Sequence, residues 1–216
     1  MPTDTAHIKW NETWSSDEGR LAWSEADPDV LECLGTVIAR GGSRALDLGC
    51  GVGRHALAMA RLGLTVDALD GSEAGIEQLR RSAADSRLLV RTHHGLMSEL
   101  PFDSGAFDYV LAFNVIYHGD PSIIERTLAE MRRVLSTGGI LQLTMLSKRN
   151  VNFGIGNEIA PNTFVVPDAT DDKTHPHFYC NAKELAECLQ GFELMSLVDR
   201  EQKPGHWHWH AVAERL

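Results

Sequence analysis

Residues 45–60 read ALDLGCGVGRHALAMA. A short apolar run breaks into glycines at every second position and then resumes as an alanine-rich run. That order dictates a strand, a tight turn and a helix. Gly49, Gly51 and Gly53 can take backbone angles closed to other residues, and the flanks carry good strand and helix formers. A strand followed at once by a helix cannot pair with its successor as a hairpin. It calls for parallel neighbours and hence for further strand–helix units.

The chain supplies them. GLTVDALD is a second apolar strand ending at Asp70, followed by a helix in SEAGIEQLRRSAAD with Ser72 as its cap. RLLVRTH, FDYVLAF and GILQLTML read as third, fourth and fifth strands, and PSIIERTLAEMRRVLSTGG is the helix between the last two, closed by its glycine pair. Near-continuous apolar strands alternating with helices mean a parallel sheet covered on both faces. DPDVLECLGTVIAR is an earlier amphipathic helix with Asp27 as cap and Pro28 near its start. The tail adds a helix near 181–190, a strand near 192–199 and a last strand in HWHWHAVAE. The short Lys203-Pro204-Gly205 connection makes those two strands an antiparallel hairpin at the end of the sheet.

The expected organisation is one domain over 1–216, within reach of a single core for a chain of 216 residues with 43% hydrophobic content. Residues 1–40 form an N-terminal helical lid segment and 41–146 a cofactor-binding core. Residues 147–180, whose Asn, Pro, Asp and Gly break the pattern, form a lid insertion, and 181–216 the C-terminal helix and hairpin. No apolar run is long enough for a membrane span, and the first residues carry no secretory signal pattern. A net charge of −10 without a basic stripe argues against nucleic acid and for a small-molecule substrate. Four cysteines without framework spacing predict reduced thiols and a cytoplasmic protein, as a monomer or homodimer.

The glycine turn is built to receive a ligand at a helix N-terminus. A dinucleotide turn would read GxGxxG, and here the sixth position is Arg54. Asp47, just before the turn, would repel a pyrophosphate and welcome an ammonium group. S-adenosylmethionine carries an ammonium and a sulfonium. Asp70, at the end of the second strand, is placed to accept ribose hydroxyls, a feature shared with nicotinamide cofactors. Cys50, within the turn, reads as a small filler rather than a nucleophile.

LDLGCGVGR, DALDGS, LPFDSGAFDYVLAFNVIYH and MRRVLSTGGIL, in that order over residues 44–146, resemble the class I S-adenosylmethionine-dependent methyltransferases. NVIYHG and the final strand are more similar to the small-molecule branch that includes tellurite-resistance methyltransferases. The resemblance implies an α/β, Rossmann-like seven-stranded sheet with a reversed last strand and helices on both faces. It implies S-adenosyl-L-methionine as cofactor, with Asp47, Gly49, Cys50, Gly51 and Gly53 at its methionine end. Asp70 would hold the ribose, with Gly71 and Ser72 beside the adenine, and Asn114 and Val115 would line the methyl-transfer side. Family members often place an acid after the third strand for the adenine amino group. Leu96 stands there in this chain, so adenine recognition would fall to the backbone near Leu96 and Met97.

His118, after the fourth strand, is the candidate general base or substrate orienter. Tyr117 beside it, Trp10 and Trp14 of the lid segment, Arg149 after the fifth strand, and His177 and Tyr179 of HPHFYC complete the candidate acceptor site. Trp10 and Trp14 would share one helix face and exclude water, and Arg149 would neutralise an anionic acceptor or pair with the acids of 168–172. His175, His177 and Cys180 have metal-ligand chemistry, but their spacing fits no closed zinc pattern and no metal is assigned. In HWHWH the expected arrangement has tryptophans packed under helices and histidines solvated. The reading is in-line methyl transfer to a thiol, metalloid oxyanion, phenol or amine. The alternatives are an NAD-dependent oxidoreductase and a non-catalytic sensor binding S-adenosylmethionine or a metal.

Overall fold

A computed structural model describes residues 3–216. In chain order it contains α1 (Ala6–Trp14), α2 (Asp17–Leu21), α3 (Pro28–Ala39), β1 (Arg44–Leu48), α4 (Arg54–Arg61), β2 (Thr65–Asp70), α5 (Glu73–Asp85), β3 (Val90–His94), β4 (Phe107–Ala112), α6 (Pro121–Val134), β5 (Leu135–Ser147), β6 (Asn157–Ala160), β7 (Thr163–Val165), β8 (His177–Cys180), α7 (Ala182–Cys188), β9 (Phe192–Lys203) and β10 (His206–Arg215).

The main sheet runs β3-β2-β1-β4-β5-β10-β9. The first five strands are mutually parallel, and β10 runs antiparallel to both β5 and β9. This is the expected seven-stranded sheet with its reversed strand, and the hairpin inserts β10 between β5 and β9. Helices cover both faces. On one, Leu34 of α3, Met59 of α4 and Leu79 of α5 bury against Leu111 and Val66. On the other, Ile124, Leu128 and Met131 of α6 and Leu185 of α7 pack against Val110 and Leu141. Both faces are sealed, which is why the strands read as unbroken apolar runs.

The helix starts follow their caps. The Asp27 carboxylate accepts the Asp29 amide at 3.0 Å, the Ser72 hydroxyl accepts the Gly75 amide at 3.1 Å, and Asp120 accepts Ser122 and Ile123. Asn181 and Glu184 form a reciprocal capping box at α7.

Three differences from the expected pattern have identifiable causes. Residues 157–180 are not structureless: β6, β7 and β8 form a small antiparallel flap whose β8 meets the end of β5. The segment's polar residues concealed strands of only three or four residues. Next, α6 stops at Val134 rather than at the glycine pair. Leu135 is already extended and pairs with Phe107, and the Arg215 guanidinium donates to the carbonyl of Leu135. Finally, two of the three histidines of HWHWH, His208 and His210, are not solvated. His208 is buried against Tyr117, and His210 packs edge-on to Phe113 with its centroid 5.7 Å away. Trp209 does pack on the opposite core and donates its indole N–H to the Cys180 carbonyl at 2.9 Å. All four cysteines are free thiols. Among the described residues no helix is long and apolar enough to cross a membrane.

Candidate active site

The carboxyl ends of β1, β2 and β4 open into one cleft. The glycine turn forms its floor. The Gly49 and Cys50 amides donate to the Leu69 carbonyl at 2.8 and 3.1 Å, which pins β1's exit to β2. Gly49 has φ +69°, and a Cβ there would overlap Val115, so the turn and the end of β4 approach closely only because the residue is glycine. Asn114 stands at φ +58°, held by Thr144: its amide donates to the threonine hydroxyl at 2.7 Å, and that hydroxyl donates to its side-chain carbonyl at 3.0 Å.

Asp70 organises the cofactor side. Its two carboxylate oxygens accept the Gly51 amide at 2.8 Å and the Ser72 amide at 2.7 Å. Each oxygen keeps a second lone pair for a ligand hydroxyl. Burial raises the Asp70 pKa, opposed by the two amides. Gly49, Cys50, Gly51, Asp70, Gly71, Leu96, Met97, Asn114 and Val115 all line the cleft. Gly53 and Ser72 lie behind its wall, where Gly53 permits contact with Leu79 and Ser72 caps α5.

Asp47 is also behind the wall, 1% exposed. Burial pushes its carboxyl up to about 7, against the opposing effects of the Ala56 amide and the Arg54 charge. Its Oδ2 has no hydrogen-bond partner. A buried carboxylate oxygen without a donor is costly, and a ligand ammonium is the kind of group that satisfies it. Arg54, one turn on, lines the cleft with its guanidinium 4.8 Å from the Trp23 ring and 5.6 Å from the Phe113 ring. Asp47 and Arg54 thus place an anion behind the wall and a cation on it. Cys50 is buried with its thiol pKa pushed well up by burial, in keeping with a filler.

The roof comes from the N-terminal segment. Trp10 and Trp14 of α1 stack at 5.0 Å, and Trp23 meets both edge-on at 5.6 and 5.9 Å. Asn11 tethers this helix to the core: its side-chain carbonyl accepts the Ala74 amide at 2.9 Å and the Ser72 hydroxyl at 3.1 Å. Asp4 reaches the cleft beside Leu96 and accepts the Ser98 hydroxyl at 2.9 Å.

Of the acceptor-site candidates, Trp10, Trp14 and His118 line the cleft. Trp10 and His118 lie 5.9 Å apart between ring centroids. The His118 pKa is driven well below its usual value, first by burial and then by His177 and His175, so its imidazole is neutral. Tyr117 and His177 are buried just behind it, with centroids 4.4 and 4.8 Å from the His118 ring. Tyr179 belongs to the core instead, packed on Phe153 and Phe164. Arg149 is outside the cleft: its guanidinium lies 3.4 Å over the Trp207 ring and pairs with Asp199 at 3.6 Å, not with the acids of 168–172. Its long side chain found an aromatic surface nearer than any acceptor.

Sequence reasoning missed Asp4, Trp23, Arg54 and Phe113 as lining residues. Arg54 carried a signal, as the charge that replaces the last glycine of a dinucleotide turn. Asp4 carried none, because its position depends on how the N-terminal segment crosses the sheet.

A methyltransferase-domain family matches residues 45–139. Ubiquinone biosynthesis O-methyltransferases are among the relatives. The one from Xanthomonas campestris pv. campestris is 31% identical over 192 residues, covering 85% of this chain and 76% of that protein. The one from Caulobacter sp. is 37% identical over 109 residues, but the chain spans only 42% of its length. Among solved structures, Burkholderia thailandensis 1,6-didemethyltoxoflavin-N1-methyltransferase superposes with a TM-score of 0.71 at 19% identity, covering 98% of this chain and 88% of that one. TehB from Haemophilus influenzae gives 0.66 at 16%, covering 88% and 63%. These likenesses are to the fold. The chain belongs to the class I S-adenosylmethionine-dependent methyltransferases, and its cofactor is S-adenosyl-L-methionine. That membership replaces the nicotinamide and sensor alternatives.

Proposed function

We propose that this enzyme methylates a hydroxyl of a small aromatic acceptor, and that it acts in the cytoplasm. The observation that carries this reading is the aromatic lining formed by Trp10, Trp14, Trp23 and His118, in the same cleft as Val115. Flat rings favour a flat acceptor through stacking and edge contacts. The named function of the curated relatives, O-methylation, supports the same choice.

When bound, the cofactor supplies an activated methyl group and leaves as a neutral thioether. The chain's own work is binding, orientation and exclusion of water. Asp47 receives the ammonium, Arg54 the carboxylate, and Asp70 the ribose hydroxyls. His118 orients the acceptor oxygen through its unpartnered Nε2. The tryptophan roof keeps water out.

Asp4 takes the part of the acid that family members carry after the third strand, accepting the adenine amino group from a different direction. Asp4→Asn is expected to weaken adenosylhomocysteine binding by about 3–10-fold, the scale of one neutral-donor hydrogen bond, with kcat unchanged at saturating cofactor. Calorimetry reads the affinity, and an unchanged dissociation constant returns adenine recognition to the backbone at Leu96 and Met97.

The acceptor class is tested with tritiated methyl donor against phenols, thiols, metalloid oxyanions and amines at equal concentration. Label on phenols is expected. Label confined to thiols or oxyanions would replace the aromatic hydroxyl by a soft nucleophile.

A further inference from the structure

Behind the acceptor side of the cleft, four side chains converge. His118 follows β4, Asp172 sits in a short 3-10 turn, and His175 and His177 lead into β8. One ligating atom from each lies within 4.8 Å of the others. The three imidazoles are 4% exposed or less, and Asp172 closes the group toward the surface with 27% of its side chain exposed.

The hydrogen bonding inside this cluster does not balance. The His118 Nδ1 and the His175 Nε2 face each other at 2.9 Å. Their outer nitrogens, His118 Nε2 and His175 Nδ1, have no partner. Two neutral rings so placed leave one bare lone pair and one unused N–H, both buried. The second contact is equally telling. His177 Nδ1 lies 2.9 Å from the His175 carbonyl, which can only accept, so Nδ1 carries the proton. In the neutral ring Nε2 is then a lone pair, and it stands 3.2 Å from the Asp172 Oδ2, another acceptor. A proton on Nε2, which makes the ring an imidazolium, or a cation beside the pair relieves that contact. The Lys173 ammonium reaches the same place, 3.2 Å from the His177 Nε2 and 2.8 Å from the Asp172 Oδ1.

We propose that His118, His175, His177 and Asp172 form a binding site for one divalent transition-metal ion of the zinc class. Imidazole with a single carboxylate is the donor set such ions select, and calcium or magnesium would want more oxygens. A tetrahedral ion at about 2.0–2.1 Å from its ligands holds them about 3.3 Å apart. The 2.9 and 3.2 Å contacts lie just below that spacing. The His175 carbonyl that fixes the His177 tautomer is the outer partner a metal-bound imidazole ordinarily has. Cys180 lies outside the cluster. It is Asp172, and His118 from 57 residues upstream, that complete the HxH pair. The ion displaces the Lys173 ammonium, which has solvent within reach.

The test uses the full chain, stripped with chelator and titrated with Zn²⁺ by calorimetry, with Co²⁺ as a spectroscopic probe. One ion per chain, visible bands of tetrahedral cobalt and a raised Tm are expected. Asp172→Asn and His177→Ala should each weaken Zn²⁺ by about 100-fold or more, and Lys173→Ala should bind at least as tightly as wild type. Adenosylhomocysteine affinity, measured on every variant, reports folding and the cofactor reading separately from the metal. If His177→Ala loses that affinity too, Asp172→Asn on the partly exposed turn decides alone. No tetrahedral cobalt spectrum in the wild type, or wild-type Zn²⁺ affinity in Asp172→Asn, overturns the proposal and leaves Lys173 as the resident cation.

Discussion

Asp47→Asn is expected to make the ligand-free enzyme more stable at pH 8 and to cripple its cofactor binding. The carboxyl of Asp47 is raised from its ordinary 3.8 to about 7 because it is buried with one oxygen unpartnered. The folded state therefore holds this proton more tightly than the unfolded chain does. Stability falls as pH rises from about 4 to about 7 and is level above that. At about 1.4 kcal/mol per pKa unit, the full penalty is on the order of 4 kcal/mol, an upper figure because water reaching the cleft relieves part of it. Asparagine keeps the shape and removes the charge, so the gain in Tm should be present at pH 8 and vanish near pH 4. In the proposed arrangement the same change removes the anion that receives the ligand's ammonium. A hydrogen bond between charged groups contributes about 1.5–3 kcal/mol, so adenosylhomocysteine should bind about 10–150-fold more weakly. In the wild type, affinity should strengthen with pH up through about 7 as Asp47 ionises. Thermal melts and calorimetry over pH 4–8 measure both effects, and an asparagine variant that binds like wild type removes Asp47 from the site.

That opposition between stability and binding explains how much of the molecule was legible in the sequence. A parallel sheet buried on both faces writes itself as apolar runs, so β1, β2 and β4 could be read nearly residue by residue. The turn was legible because Gly49 must let Val115 approach. Asp47 could be singled out because a carboxylate just before the glycine turn repels a pyrophosphate and suits an ammonium. What could not be read is whatever depends on long-range placement. Asp4 meets Ser98 across 94 residues, and His118 meets His175 across 57. Arg149 was misassigned for a related reason: its position at the sheet's carboxyl edge was right, but Trp207 on the neighbouring hairpin captured it. The flap strands β6 to β8 are too short and polar to announce themselves, although they position the HxH pair.

His118→Ala should lower kcat by about 100-fold or more while leaving adenosylhomocysteine affinity within a few-fold of wild type. The reason lies in the ring's surroundings. His118 is 3% exposed and packed among Trp10, Tyr117, His175 and His177. Burial, then His177 and His175, hold its pKa well below the usual imidazole value, so the site favours the neutral ring. In the proposed arrangement a neutral imidazole here would hold an acceptor oxygen in line with the methyl group; taking up its proton would mean charging a ring that the site keeps uncharged. Two observations separate orientation from base catalysis. In the wild type at saturating cofactor, kcat/KM for the acceptor should rise with pH toward the acceptor's own ionisation, near 10 for a simple phenol, with no inflection near 6.5. His118→Gln, which keeps a side-chain hydrogen-bonding group but cannot act as a base at these pH values, should recover most of what His118→Ala loses. A glutamine variant as slow as alanine would make His118 the proton acceptor, and an alanine variant with wild-type turnover would leave the in-line geometry to the tryptophan roof alone.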